Sequence, residues 1–314
     1  MHFTLRQFRV FEAVADHLSF TQAAKTLHLS QPAVSMQVKA IEEQVGLPLF
    51  EQLGKQIYLT EAGHEIHHYS RAIRQLLDEA EDVINGLKGA HQGRLTISVA
   101  STANYFVPTL LGVFHERFPD ITVSLDVTNR ETLLKQLSEN VVDLVVMGQP
   151  PEDADLEAGI FMENPLVIVA PPNHPLAKQK NIPFARLEDE VFLTRERGSG
   201  TRSAIERFFE QHDVQLNTGM EIASNEAIKQ SVQAGLGLGL LSRDTLDMEL
   251  ALKKLVILDV EDFPIVRHWY VMHRKGKRLS TVAAAFKQFL LEEANALLHT
   301  ANTASSPGTI KKST

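Results

Sequence analysis

The chain has 314 residues, enough for two or three domains, and 44% of them are hydrophobic, the ordinary share for a globular protein with a sizeable core. It has no cysteine, which excludes disulfides, thiolate metal sites and a cysteine nucleophile and suits a reducing cytosol. A net charge of −8 excludes a passive polyanion binder, and no run approaches the ~18 apolar residues of a membrane span. The opening MHFTLRQFRVFEAV has no apolar signal core with a small-residue cleavage site, so a cytoplasmic protein with no membrane partner is expected.

Leu5, Phe8, Phe11, Val14, Ala15 and Leu18 share one face of a first helix. Phe20–Val45 then reads as two short helices joined by a tight turn. Phe20, Ala23, Ala24 and Leu27 line the first; Val34, Val38, Ile41 and Val45 line the second. Ser30 is placed as an N-cap, and Pro32 falls in the first helical turn, where a missing N–H costs nothing. Two helices so joined make a helix-turn-helix, or, on pattern alone, any helical hairpin at the corner of a bundle. The face opposite Val34 and Ile41 carries Pro32, Met36, Lys39 and Glu43, with Ser35 on its edge, and could lie in a major groove. Formal charge alone does not suggest DNA, because residues 1–60 hold five basic and five acidic side chains.

The wording of this stretch, SFTQAAKTLHLSQPAVSMQVKAIEEQVGLPLFEQ, resembles the winged helix-turn-helix of LysR-type transcriptional regulators, S-F-x-x-A-A-x-x-L-x-x-S-Q-P-A-V-S-x-Q-[IV]-x-x-[LI]-E followed by G-x-x-L-F. Within that family the run SMQVKAIEEQVGLPLFEQLGKQIYLTEAG looks most like the activators of carbon-fixation (RuBisCO/Calvin-cycle) operons. The resemblance implies a multidomain fold: an all-α winged helix-turn-helix, a long linker helix, and an α/β two-lobed effector domain like the periplasmic solute-binding proteins. It also implies promoter DNA as partner, a homodimer or homotetramer, and contact with RNA polymerase. Gln31 and Ser35 are assigned to base or adjacent backbone contacts, Pro32 and Met36 to apolar contacts, and Ser30 and Lys39 to phosphates. Many relatives carry a longer polar or basic residue where Met36 stands.

Gly46 and Pro48 stop the second helix. Gln52–Thr60 is a hairpin candidate with Gly54-Lys55 at its tip. The resemblance makes it the wing and Lys55 a backbone or minor-groove contact; otherwise Lys55 is a solvated turn lysine. From Thr60 or Glu61 a long helix places Ile66, Tyr69, Ile73, Leu76, Ala80, Val83 and Leu87 on an a/d seam, which calls for a second copy or for folding back onto its own domain. The resemblance makes it a dimer interface. His64-Glu65-Ile66-His67-His68 satisfies H-E-x-x-H, but Ile66 belongs to the seam and no third ligand stands out, so no metal is assigned. The histidines read better as solvated groups flanking a coiled coil.

Gly86–Gly93 reads as a hinge. Beyond it, strands at Leu95–Ala100, Ile121–Val127 and Val142–Met147 alternate with helices at Asn104–Phe118 and Arg130–Ser138, which predicts a parallel, doubly wound sheet. Further strands are expected at Leu166–Ala170, Val191–Thr194, Met220–Ala223, Leu238–Leu241, Leu255–Leu258 and Trp269–His273. Further helices are expected at Thr201–His212, Asn225–Ala234 and Ser280–His299. The domain plan is a head over 1–60, a linker helix over 61–88 and a hinge over 89–93. Lobe one covers 94–163 and 266–300, lobe two covers 164–265, and a polar disordered tail covers 301–314.

Ligands of open α/β folds sit beyond the carboxyl ends of strands, at helix N-termini. Ser101-Thr102, Asn129-Arg130, Gly148-Gln149, the Arg197–Arg202 run and Ser224-Asn225 all fall there. Each alone is also an ordinary N-cap or loop. If the lobes close on one cleft, then Ser101, Thr102, Asn129, Arg130, Gly148, Thr201, Arg202 and Asn225 converge. The two arginines and the free backbone N–H groups would favour a carboxylate or phosphate. The resemblance supports Ser101, Thr102 and Thr201 as effector contacts and names phosphorylated metabolites, such as a sugar phosphate, or NADPH as effectors. Gly235–Gly239 lacks the dinucleotide-binding order, Gly198-Ser199-Gly200 lacks nucleophile-elbow spacing, and Asp126, Asp143 and Glu221 are dispersed. No catalytic residue, cofactor or enzyme activity is therefore assigned. An enzyme or a solute-binding protein built on the two-lobed domain is the rival reading.

Overall fold

The computed structural model describes residues 3–54, 56–88 and 93–304; the side chains of residues 75, 78–79, 82–83, 85–88 and 299–304 lie outside the description, as do Lys55 and most of the glycine-rich hinge. The described chain falls into two compact units, one taking in the residues up to Glu81 and the other most of the chain from Asp82 onward.

The first unit opens with α1 (Leu5–His17), α2 (Phe20–Thr26) and α3 (Gln31–Val45). Each start is fixed locally. Thr4 Oγ1 accepts from Gln7 N while Gln7 Oε1 accepts from Thr4 N, a reciprocal capping box. Ser19 and Ser30 cap the next two helices, and α3 stops at Gly46, whose φ of 78° is the left-handed conformation glycine adopts without strain. Val10, Val14, Ala23, Ala24, Val34 and Val38 form one core, and Phe11, Ala15, Ile41 and Leu49 a second. The first-helix face is narrower than expected. Leu5 and Leu18 are exposed, Leu18 because it leaves the helix at φ 44°, while Val10 and Glu12 are buried in their stead.

Strands β1 (Phe50–Leu53) and β2 (Gln56–Leu59) pair antiparallel as a hairpin, and α4 (Glu61–Lys88) follows. The Phe50 ring packs tilted against Phe11 at 5.3 Å and edge-on against Phe20 at 5.7 Å, which pins the hairpin to α1 and α2.

The second unit holds two five-stranded sheets. In lobe one, β3 (Gly93–Ala100) lies parallel to both β4 (Ile121–Thr128) and β5 (Leu144–Met147), with α5 (Val107–Arg117) and α6 (Arg130–Ser138) as crossovers. The sheet is mixed rather than parallel throughout. It is completed by β6 (Leu156–Glu163) and β12 (His268–Arg274), and β12 runs antiparallel to β5 and β6. Strand β6 escaped the sequence reading because Gly159 interrupts it and half of its residues are exposed at the sheet edge. The helix expected over Asn104–Phe118 is broken into a 3-10 turn, Ala103–Tyr105, and α5, because Pro108 has no N–H to continue the ladder and instead opens a new helix.

Lobe two orders its strands β11 (Val256–Ile257), β7 (Leu166–Ala170), β10 (Leu238–Ser242), β8 (Phe192–Arg195) and β9 (Thr218–Ile222). Around them lie α7 (Gly200–Gln211), α8 (Asn225–Gln233) and the short α9 (Asp247–Ala251). The chain enters between Glu163 and Leu166 and leaves beside the same point, where Leu166 bridges Ile265. Finally, α10 (Thr281–Ala304) packs Phe286 and Phe289 against Phe114 of α5. It runs past His299 into the stretch expected as a tail, since no glycine or proline intervenes before Pro307; residues 305–314 lie outside the description.

Candidate nucleic-acid face and ligand cleft

The exposed face of α3 carries Gln31, Pro32, Ser35, Met36, Lys39 and Glu43. Met36 is 68% exposed, a large apolar side chain with nothing of its own domain to cover it. Lys39 sits 4.0 Å from Glu43 one turn on, so its charge is shared along the helix. Ser30 Oγ accepts from Ala33 N at 3.4 Å; its hydroxyl proton stays available to a phosphate. Lys55 lies outside the described residues.

On α4 the expected seam is only partly presented. Ile66 packs into the head's own core with Phe11, Ile41 and Leu49, which removes it from a seam offered to a partner. Tyr69 and Leu76 are exposed at 58% and 64%, and Leu77 and Ile84 are exposed outside the predicted positions. Ala80 is exposed and Ile73 half-buried, while the side chains of Val83 and Leu87 lie outside the description. His67 is not merely solvated: its Nε2 sits 3.1 Å from Asp16 Oδ1 and its ring meets Phe11 edge-on. The Asp16 carboxyl is held below its usual range, first by that hydrogen bond. Among the described residues no group of three or more His, Asp or Glu could hold a metal.

In the second unit a cleft of about 520 Å³ opens between the lobes. From lobe one come Ser101 and Thr102 after β3, Asn129 and Arg130 opening α6, and Gly148 after β5; from lobe two comes Thr201 in the first turn of α7. Strand ends and helix starts put them there. Asn129 Oδ1 caps α6 by accepting from Thr132 N at 2.9 Å, and the Ser199 side chain leaves the first N–H groups of α7 uncapped.

Two predicted residues do not reach this cleft. Arg202 turns to Glu206, at 2.7 Å, and to Glu221 and the Arg195 carbonyl. Asn225 accepts from Arg195 Nη1 at 2.8 Å behind the wall. Their places are taken by residues the sequence reading missed: Arg195, Arg207 and Arg267. A periodic signal for Arg207 exists, because Gly200, Ala204, Arg207 and Gln211 recur at helical spacing on the cleft face of α7, whereas Arg202 and Glu206 form an i, i+4 pair on another face. Nothing local marks Arg267.

The arginines divide by partner. Arg195 is spent on Glu196, with bonds of 2.7 and 2.9 Å, on Asn225 and on Ser101. Arg130 donates to the Gln149 carbonyl at 2.7 Å and Arg267 to the Gly200 carbonyl at 3.1 Å, both neutral acceptors. Among the described residues, none of Arg130, Arg207 and Arg267 is joined in an ion pair within 4.0 Å. Burial, and then the Arg130 charge, pull the Arg267 guanidinium down to about 10; burial, and then Arg207, lower Arg130. Arg267 Nε and Asn164 Oδ1, both buried in this lining, lack a protein hydrogen-bond partner. Desolvated cations that repel one another favour an anion between them.

A helix-turn-helix head with a bare reading face, followed by a two-lobed domain with a cationic cleft, defines a ligand-responsive DNA-binding regulator. The comparisons agree. Residues 5–64 match the bacterial regulatory helix-turn-helix of the lysR family, and residues 88–295 match the LysR substrate binding domain; the chain belongs to the LysR family. It is 56% identical over 294 residues to the RuBisCO operon transcriptional regulator of Allochromatium vinosum, covering 94% of this chain and 97% of that one. It is 46% identical over 287 residues to the transcriptional activator CmpR of Synechocystis, covering 91% and 94%. Among solved structures, the regulatory domain of Synechocystis CcmR in complex with 2-PG superposes with a TM-score of 0.62 at 46% identity, covering 64% of this chain and 96% of that one. Full-length CbnR complexed with its target DNA superposes with a TM-score of 0.68 over 92% of this chain and 99% of that one, at 21% identity, a likeness of fold.

Proposed function

We propose that the protein regulates transcription of carbon-fixation genes from promoter DNA, under the control of a small anionic metabolite, phosphorylated or carboxylated, held in the interlobe cleft. The observation that carries the effector is the trio Arg130, Arg207 and Arg267, cations without an acidic partner beside the uncapped start of α7. The 2-PG bound by the Synechocystis domain supports that chemistry, and the names of the relatives support the target. Ser101, Thr102, Asn129, Gly148 and Thr201 supply hydrogen bonds around the anion. On the DNA side, Gln31 and Ser35 read base edges or the adjacent backbone, Pro32 and Met36 make apolar contact, and Ser30, Lys39 and Lys55 meet phosphates. A homodimer paired through the exposed part of α4, or a tetramer of such dimers, places two recognition helices on one site. NADPH as effector and a contact with RNA polymerase extend this reading, as does a cytoplasmic location; no described helix is long and apolar enough to cross a membrane.

Trp269, the single tryptophan, lines the cleft and reports on it directly. The test titrates the full chain with 2-PG, a sugar bisphosphate and NADPH, following Trp269 fluorescence, then footprints the promoter of a carbon-fixation operon with and without the ligand that binds. Saturable binding together with a ligand-dependent footprint supports the reading. Absence of any footprint at low salt, where even non-specific association shows, defeats it.

A further inference from the structure

The lobe-one turn that lines the cleft is held at both ends by the opposite lobe, by the last residue of β8 at its start and by α8 at its end. At its start, Ser101 Oγ accepts from Arg195 Nη2 at 3.3 Å, and Arg195 Nη1 donates to Asn225 Oδ1, the first residue of α8, at 2.8 Å. At its end, Tyr105 Oη donates to Glu226 Oε2 at 3.4 Å, and Lys229 Nζ, one turn further along α8, lies 4.8 Å from the centre of the Tyr105 ring. Lys229 is 3% exposed. Its ammonium is already matched within lobe two by Glu226 at 2.7 Å, Glu249 at 2.8 Å and the Thr245 carbonyl at 3.2 Å. Lobe two therefore does not need Tyr105 for its own integrity. Tyr105 in turn is 38% exposed and lies outside the lobe-one core cluster. What the pair joins is the two lobes, at a point four residues from a cleft residue.

We propose that Tyr105, Glu226 and Lys229 form an interlobe latch. It holds the Ser101–Thr102 turn against lobe two and so sets how tightly the cleft retains its effector. The proposal rests on the effector reading above. If the ligand requires the lobes together, apparent affinity scales with the fraction of molecules already closed, and every interlobe contact raises that fraction. A cation over an aromatic face is strongest where the ammonium is desolvated, as Lys229 is. Tyr105 is thus a positioning residue: it touches no ligand, and it fixes the turn that does.

The experiment compares the full chain with Tyr105→Leu, Tyr105→Phe and Glu226→Ala. Two quantities are read: the dissociation constant for 2-PG from Trp269 fluorescence, and acrylamide quenching of Trp269 in the ligand-free protein. Trp269 serves both because it lines the cleft and its Nε1 donates across the lobes to Asp244 at 3.2 Å. Tyr105→Leu is expected to raise the dissociation constant about three- to tenfold and to increase ligand-free quenching, with saturating 2-PG returning the quenching to the wild-type value. Tyr105→Phe keeps the ring over Lys229 and is expected to retain most of the affinity. Should Tyr105→Leu also lower the melting temperature, Glu226→Ala, an exposed side chain whose loss removes the Tyr105 hydrogen bond but leaves the ring over Lys229, is expected to shift both readouts in the same direction by a smaller amount, matching Tyr105→Phe. Wild-type affinity and quenching in the leucine and alanine variants would overturn the latch. If the wild type binds none of 2-PG, a sugar bisphosphate and NADPH, the effector reading falls by itself and ligand-free quenching still decides: an increase supports the latch and no change removes it.

Discussion

The Glu42 carboxylate on α3 accepts from the backbone N–H of Leu49 at 2.8 Å and of Phe50 at 3.3 Å, so the second helix of the helix-turn-helix also fixes the first residues of the hairpin. Both donors would otherwise be half-buried without a partner. Glu42→Ala is expected to cost about 1–3 kcal/mol of stability in the head and to weaken promoter binding, while Glu42→Gln, which keeps an acceptor, should lose less. Thermal melts and gel shifts on the two variants check the order. Equal losses would mean that the hairpin is held by Phe50 packing instead.

Arg267 and Arg130 repel each other in a desolvated lining, a cost the ligand-free protein carries throughout the neutral range. Arg267→Gln is therefore expected to leave the ligand-free melting temperature unchanged or higher. The same change should weaken an anionic effector at least about tenfold and shrink the ligand-induced rise in melting temperature. Arg202→Gln should leave effector affinity unchanged, because its guanidinium is committed to Glu206 and Glu221. Differential scanning fluorimetry with and without 2-PG separates the two.

Glu12 is buried in the head, and Arg74 Nη2 comes within 3.1 Å of its Oε1 without aligning as a hydrogen bond. Burial dominates and raises its pKa above the ordinary glutamate value, despite Arg74. A raised carboxyl pKa means that the folded state holds the proton longer than the unfolded one. The charged form then subtracts from stability above the folded pKa, and the subtraction vanishes below the unfolded value. Glu12→Gln is accordingly expected to be as stable as wild type or more so at pH 7 to 8, with the difference closing near pH 4, where both are neutral. Asp16, whose pKa is lowered, works in the opposite direction: its contribution is lost as pH falls through its folded pKa. Melting temperature against pH for Glu12→Gln and Asp16→Asn measures each.

Gly63, in the first turn of α4, packs directly on the Leu49 carbonyl, and a Cβ there would collide with backbone that cannot move aside. Gly63→Ala is expected to destabilise the head by about 1–3 kcal/mol. Gly54→Ala, at φ 65° in open space at the hairpin turn, should cost less than a steric clash and act only through backbone strain. Chemical denaturation of both variants provides the comparison.

The head was legible because its signals are local. Ser30, the apolar spacing of Val34, Val38 and Ile41, and Gly46 each act within a turn or two of chain, and the structure uses them as read. The same holds for the strand-end groups Ser101, Asn129 and Thr201, which turn chemistry places at the mouths of sheets. Tertiary structure decided which charges face the cleft. Arg202 and Arg207 lie five residues apart on one helix, about 140° around its axis, so a single helix sends one to Glu221 and the other into the lining. Arg267 joins Arg130 only because the chain returns from lobe two beside Leu166, and Ile66 leaves the coiled-coil seam only because Phe11 and Leu49 form a core beneath it. Sequence periodicity determines which residues share a face. What that face meets depends on contacts between segments far apart in the chain, and here those contacts gathered the arginines that line the interlobe cleft.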